Sequence, residues 1–172
     1  LPVRLASVLA LALAPALAQA QPKDDAARLY EAGKTAGEAG RYAEAIGDFS
    51  AALKTRPDSL SLLGRGVVYE RIGRYDLAIA DLTRALTLKP DLAAAYEARA
   101  VAEDQKGLYD RAVADDTAAL KLRPSAETYF NRGAAYEHRR TYPKALADYR
   151  AALGLDPTLE PAKRGLARLQ SR

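Results

Sequence analysis

Four aspartates and four arginines recur along the chain at matching places, Asp48, Asp81, Asp115 and Asp148 against Arg65, Arg99, Arg132 and Arg164. A guanidinium presents a planar fork of N–H donors that fits both oxygens of one carboxylate. Two such rows point to bidentate ion pairs that set register, not to proton transfer. The place before the first aspartate holds Ala32 where later units hold arginine. The rows are therefore offset by one unit. That offset predicts the pairs Asp48–Arg65, Asp81–Arg99, Asp115–Arg132 and Asp148–Arg164, each joining one unit to the next.

Two further acids occupy apolar columns of the third unit. Asp116 stands where other units place Phe49, Leu82 and Tyr149, and Glu103 stands where two of them place Tyr69 and Tyr136. Asp104, Asp115, Arg99 and Lys106 are close by in sequence. One reading is a loosened unit whose acids reach solvent or arginine partners. The sharper reading is a polar hot spot that holds a cation. Other chemistry is thin. The chain has one histidine, His138, and no cysteine, which leaves no paired-histidine mechanism, thiol nucleophile, thiolate zinc site or disulfide. His138, near a helix end, reads as a solvated residue. Glycine-rich phosphate loops, G-x-S-x-G and HExxH are absent from the sequence. The sequence predicts no catalytic residue, no metal ligand and no cofactor.

These residues are positioned by a repeat. Aligned on Pro57, Pro90, Pro124 and Pro157, the copies recur every 33 or 34 residues. A period of that length marks a stacked solenoid. Each copy holds two apolar-periodic segments with a short break between them, at Ala39-Gly40-Arg41, Ile72-Gly73-Arg74 and Lys106-Gly107-Leu108. Glycine just past a helix end takes a left-handed conformation that a Cβ penalises. Arg140-Thr141 replaces it in the fourth copy, which predicts a different or more strained turn. Asp58-Ser59, Asp91 and Ser125 are placed to cap first helices. Small residues form columns at Gly33, Gly66, Ala100 and Gly133, at Ala45, Ala78, Ala112 and Ala145, and at Ala52, Ala85, Ala119 and Ala152. Tyr42, Tyr75, Tyr109 and Tyr142 open the second helices. Packing is the reading of all these columns. The units span residues 26–58, 59–92, 93–125 and 126–158, after a short entry at 21–25. A last helix within 159–172, with Pro161 at its first position, reads as a polar cap over the stack.

The pattern resembles the tetratricopeptide repeat family, whose signature runs from a Leu-Gly-type pair through Tyr and Ala-x-x-x-Phe to Pro. Here it appears as Ala32-Gly33, Ala45 to Phe49 and Pro57. It recurs as Arg65-Gly66, Tyr69, Ala78 to Leu82 and Pro90, and as Arg132-Gly133, Tyr136, Ala145 to Tyr149 and Pro157. Leu29, Leu62, Tyr96 and Tyr129 replace the family's tryptophan. The resemblance implies an all-α, right-handed superhelical solenoid of four helix-turn-helix repeats with a C-terminal capping helix. It also implies a non-enzymatic adaptor that binds a protein or peptide segment on its concave face.

In that family the first helix of each pair lines the groove. Carried over, this gives Tyr30, Lys34 and Glu38 from the first unit, and Leu63, Val67, Glu70 and Arg71 from the second. The third gives Glu97, Val101 and Asp104, and the fourth Glu127, Phe130, Ala134, Glu137 and His138. Acids outnumber bases on this list, so the groove is expected to be negative. Asn131 alone falls on a place resembling the family's carboxylate clamp. The expected partner segment is apolar with Lys or Arg flanks.

Residues 1–20 carry one cation, Arg4, then an uncharged Leu/Ala/Val run and Ala18-Gln19-Ala20. These are the parts of a secretory signal peptide cleaved after Ala20. Pro15 and the short run argue against a retained membrane span. Leader style and heavy Ala and Arg use point to a bacterial periplasm. Formal net charge is +4, with both signs interleaved, which does not suit nucleic acid. A second reading is a structural or self-assembling subunit of a cell-envelope complex, in which the protein forms oligomers.

Overall fold

The structure, a computed structural model, describes residues 22–171; the leader and its cleavage site lie outside the described residues. Those residues form helical hairpins in sequence: α1 (Pro22–Glu38) with α2 (Tyr42–Thr55), α3 (Ser59–Arg71) with α4 (Tyr75–Leu88), and α5 (Ala93–Gln105) with α6 (Tyr109–Leu122). The fourth pairs α7 (Ala126–His138) with α8 (Tyr142–Leu155), and α9 (Glu160–Gln170) closes the stack. α1 begins at Pro22, inside the stretch expected as an entry segment. Among the described residues, first helices touch first helices, α1 to α3, α3 to α5, α5 to α7 and α7 to α9, whereas second helices touch only first helices. The first helices are therefore the inner, concave layer and the second helices splay on the outside.

The hairpin turns close by backbone bonds from Arg41 to Ala36, Arg74 to Tyr69, Leu108 to Glu103 and Thr141 to Tyr136, each at 2.8 Å. This six-residue closure needs a left-handed residue just past the helix. Gly40, Gly73 and Gly107 supply it at φ 73–74°, and Arg140 is forced into it at φ 58°. The fourth turn is thus the same turn, held by a residue with a Cβ. Arg140→Gly is expected to stabilise the protein by about 1 kcal/mol, read from urea unfolding midpoints; an unchanged or lower midpoint would contradict the strain.

Asp58 caps α3 by accepting from the amides of Leu60 and Ser61, and Ser125 caps α7 by accepting from Thr128. Asp91 does not cap α5. The period lengthens by one residue there, Leu92 takes the cap position, and it offers no side-chain acceptor.

The small columns are packing contacts. Ala45, Ala78, Ala145, Ala52, Ala85, Ala119 and Ala152 are fully buried, and Ala100 and Ala112 are 1% exposed. A Cβ on Gly33 would lie 2.9 Å from the Phe49 ring, one on Gly66 2.8 Å from Leu82, and one on Gly133 2.8 Å from Tyr149. Glycine on the first helix thus makes room for a large side chain on the second. The third repeat reverses both halves of the match, with Ala100 and Asp116.

The arginine row pairs differently from expectation. Arg65 grips Asp81 through Nε at 2.7 Å and Nη2 at 2.9 Å, Arg99 grips Asp115 at 2.6 and 2.8 Å, and Arg132 grips Asp148 at 2.7 and 2.8 Å. Each pair lies within one repeat. The proposed links Asp48–Arg65, Asp81–Arg99, Asp115–Arg132 and Asp148–Arg164 are not formed, and Asp48 and Arg164 make no ion pair among the described residues. The reason is the hairpin: the aspartate 16 residues on sits directly opposite on the antiparallel partner helix. Contact with the preceding repeat does exist, but through a hydroxyl. Nη1 of Arg65, Arg99 and Arg132 donates to Ser50, Thr83 and Thr117 at 2.8, 2.9 and 3.1 Å.

Candidate functional site

Clefts open along the concave layer and run into one another. The first lies between α1 and α3 and is lined by Lys34, Glu38, Val67 and Arg71, with Phe49 as its floor. Val67 and Arg71 also border a second cleft, the largest of these at about 610 Å³, which reaches Glu70, Ala94, Glu97, Ala98, Val101, Glu127 and Asn131. Val101 and Asn131 pass on to a third, with Asp104, Phe130 and Ala134. Phe130 and Ala134 border a fourth, between α7 and α9, with Glu137 and His138. Shared walls make this a single groove, its central floor apolar at Val67, Ala94, Ala98 and Val101.

Most of the residues expected to line the groove are gathered there. Tyr30 and Leu63 line none of these clefts. Tyr30 sits with its ring centre 6.0 Å from that of Phe49, and Leu63 packs on the core around Leu62 and Leu82.

Part of the expected negative charge is neutralised, at Glu97 and Glu137, by arginines that the first helices do not supply. Arg123, on the α6–α7 connection, donates to Glu97 at 3.1 Å, as Thr128 does at 3.0 Å. Arg168 of α9 forks onto Glu137 at 2.8 and 2.7 Å, and the Tyr149 hydroxyl donates to the same carboxylate at 2.8 Å. His138 lies 3.2 Å from Asp104. Glu38, Glu70 and Glu127 make no ion pair among the described residues. Burial holds the Glu70 carboxyl above its ordinary pKa. Arg123, reaching across the groove, goes beyond the helix-dipole role that its place at a helix end suggests.

The two acids of the third repeat do not form one cluster. Glu103, 4% exposed, faces the α5–α6 hairpin. Burial, then Asp115, pushes its carboxyl up to about 7 against the pull of Arg99 and Arg111. Asp116, 1% exposed, faces α7 and the groove, and burial pushes it up to about 8. Glu103 Oε2 and Asp116 Oδ1 accept no hydrogen bond. Lys106, adjacent in sequence, pairs instead with Asp76 of the preceding repeat. Among the described residues no group of three or more acids or histidines is placed to hold a metal ion, and no helix is long and apolar enough to cross a membrane.

Comparison with known proteins matches this architecture. Solved structures with the same fold include MamA, at TM-score 0.79 and 22% identity over 87% of this chain and 82% of that one. They include YrrB, described as a TPR protein with an unusual peptide-binding site, at TM-score 0.73 and 24% identity over 81% and 73%. The first TPR of Spaghetti (RPAP3), bound to the HSP90 peptide SRMEEVD, matches at TM-score 0.65 and 28% identity over 66% and 91%. No curated protein sequence matches the chain significantly. The family model described as "Tetratricopeptide repeat" matches residues 30–93, 73–127 and 97–160. With its helix pairs, turn closures and small-residue columns, the chain belongs to the tetratricopeptide repeat family.

Proposed function

We propose that this protein is a non-catalytic adaptor that binds an extended segment of a partner protein along the inner face of α1, α3, α5 and α7. The observation that carries the reading is the continuity of the groove, whose apolar floor passes from Val67 to Val101 between half-buried and exposed acids. The HSP90 peptide bound to the first TPR of Spaghetti (RPAP3) and the peptide-binding site of YrrB support it in kind. The segment favoured here is apolar in the middle with Lys or Arg flanks, because Glu38, Glu70 and Glu127 line the groove and make no ion pair among the described residues. Glu97 and Glu137 are occupied by arginines and contribute less to that preference. The leader-like residues 1–20 suggest that the adaptor works in a bacterial periplasm.

The test is a pull-down with the full chain and with a Glu70→Lys, Glu127→Lys variant, each followed by mass spectrometry. A protein recovered by the wild type is expected to fall about tenfold or more with the variant. Equal recovery would argue against the groove. One observation favours the second reading, self-assembly: Leu88, Leu122 and Leu155 repeat at the same outer helix end and are 54%, 45% and 56% exposed. A molar mass that rises with concentration would support that reading, and a constant monomer mass would remove it.

A further inference from the structure

The cleft floored by Phe49 and the cleft holding Asp116 are the same notch two repeats apart. Gly33 and Ala100, Phe49 and Asp116, Gly64 and Asn131, and Val67 and Ala134 are each separated by 67 residues. In the first notch the Phe49 ring forms an apolar floor, pressing on Gly33 and Gly64. In the last, the Tyr149 ring lies against Gly133 and Gly165 and its hydroxyl donates to Glu137. The third notch has no large side chain at its floor. Its cavity, about 180 Å³ against about 160 Å³ at the Phe49 notch, opens to the groove with Val101, Phe130 and Ala134 as apolar walls and differs in having an acid rather than a ring at its base. At its base is the Asp116 carboxyl group, 1% exposed, with Oδ1 making no hydrogen bond. A buried acceptor of that kind is a strong demand for a donor. Arg132, whose charge acts on Asp116, is committed to Asp148 and Thr117.

We propose that this notch is a subsite for one lysine or arginine side chain of the bound segment, its aliphatic stem lying against Val101, Phe130 and Ala134 and its charged head donating to Asp116. The proposal rests on the adaptor reading and sharpens it. Apolar walls with Asp116 at the base and Asp104 on the rim side suit an amphipathic cation, whose stem buries while its head keeps a polar partner. The surrounding charge agrees in sign. Glu97 and Asp104 on α5 and Asp115 on α6 face Asp116 from the acid side, against Arg132 and the Asp104-bound His138 on α7. A metal ion is a poorer fit, since no three-ligand group exists among the described residues. Asp116 is held protonated by burial when the notch is empty, so an arriving cation displaces that proton. Binding is therefore expected to tighten as the pH rises from 6 towards 8.

The probe is a random-peptide phage library panned against the full chain, against Asp116→Asn and against Asp116→Leu. Asp116→Leu carries the residue that repeat 2 uses at this place, Leu82, and its fold is checked by circular dichroism. The wild type is expected to select peptides with a fixed Lys or Arg. Replacing that lysine with norleucine is expected to weaken wild-type binding about 10- to 100-fold and binding to Asp116→Leu less than about twofold. Asp116→Asn is expected to lose the preference for cations and the pH dependence. Selection of peptides without a fixed cation, or the same peptides from all three proteins, would overturn the subsite and leave the groove standing. Selection of none by any of them would overturn both.

Discussion

Arg132→Ala is expected to lower the free energy of unfolding by about 3 kcal/mol at neutral pH. The substitution strands Asp148, 6% exposed, without its bidentate partner and leaves Thr117 without its donor. Most of the loss is the penalty of a buried, unpaired carboxylate rather than the net worth of the bridge. The double variant Arg132→Met, Asp148→Leu should therefore recover most of it. Asp48, which makes no ion pair among the described residues, supplies the control: Asp48→Ala should stay within about 0.5 kcal/mol of wild type. Urea unfolding of the four proteins measures these differences. Equal losses for Arg132→Ala and Asp48→Ala would contradict pairing within the repeat.

A second large effect belongs to Asp116. Its folded carboxyl ionises at about 8, well above the 3.8 of a free aspartate. Between those values the folded protein keeps a proton that the unfolded chain has released. This contribution to stability is fully present below the unfolded pKa and is lost as the pH rises through the folded one. Glu103 acts in the same direction from 4.5 to about 7. The melting temperature is accordingly expected to fall by roughly 5–10 °C between pH 5 and pH 8.5. Asp116→Leu should flatten most of that slope and raise stability at pH 8 by about 2–4 kcal/mol. A flat wild-type profile, or a leucine variant weaker than wild type at pH 8, would contradict the burial of an unpaired acid. The same substitution that strengthens the fold is expected to remove cation recognition, so stability and binding should move in opposite directions.

The period, the paired helices and the packing columns were legible because one physical problem, burying a helix pair against its neighbours, is solved four times in the same residues. Leu82 against Gly66 and Tyr149 against Gly133 are that solution written in sequence. The ion pairs were legible as rows but not as partners. Separation between Arg and the next Asp is always 16, whereas separation from the preceding Asp varies from 16 to 18. Constancy across an antiparallel hairpin was the available signal. Asp91 misled because one inserted residue moves a cap off its position without altering composition. Arg140 hid a conserved turn geometry, since the backbone bonds that close it outweigh the strain of one left-handed residue. The groove's charge was the least legible feature. Arg123 and Arg168 reach Glu97 and Glu137 from elements 26 and 31 residues away in sequence, a contact that only the stacking of repeats creates. A list of first-helix residues cannot contain them.

The most direct test of the adaptor account is site-specific photocrosslinking of the full chain in the cells that make it. Benzoylphenylalanine is placed at Ala98 on the groove floor or at Ala114, exposed on α6 of the outer layer. The account predicts that Ala98 yields an adduct with a distinct partner protein and that Ala114 yields none. An adduct from Ala114 alone, or adducts only between copies of this chain, would contradict binding of a partner segment on the concave face.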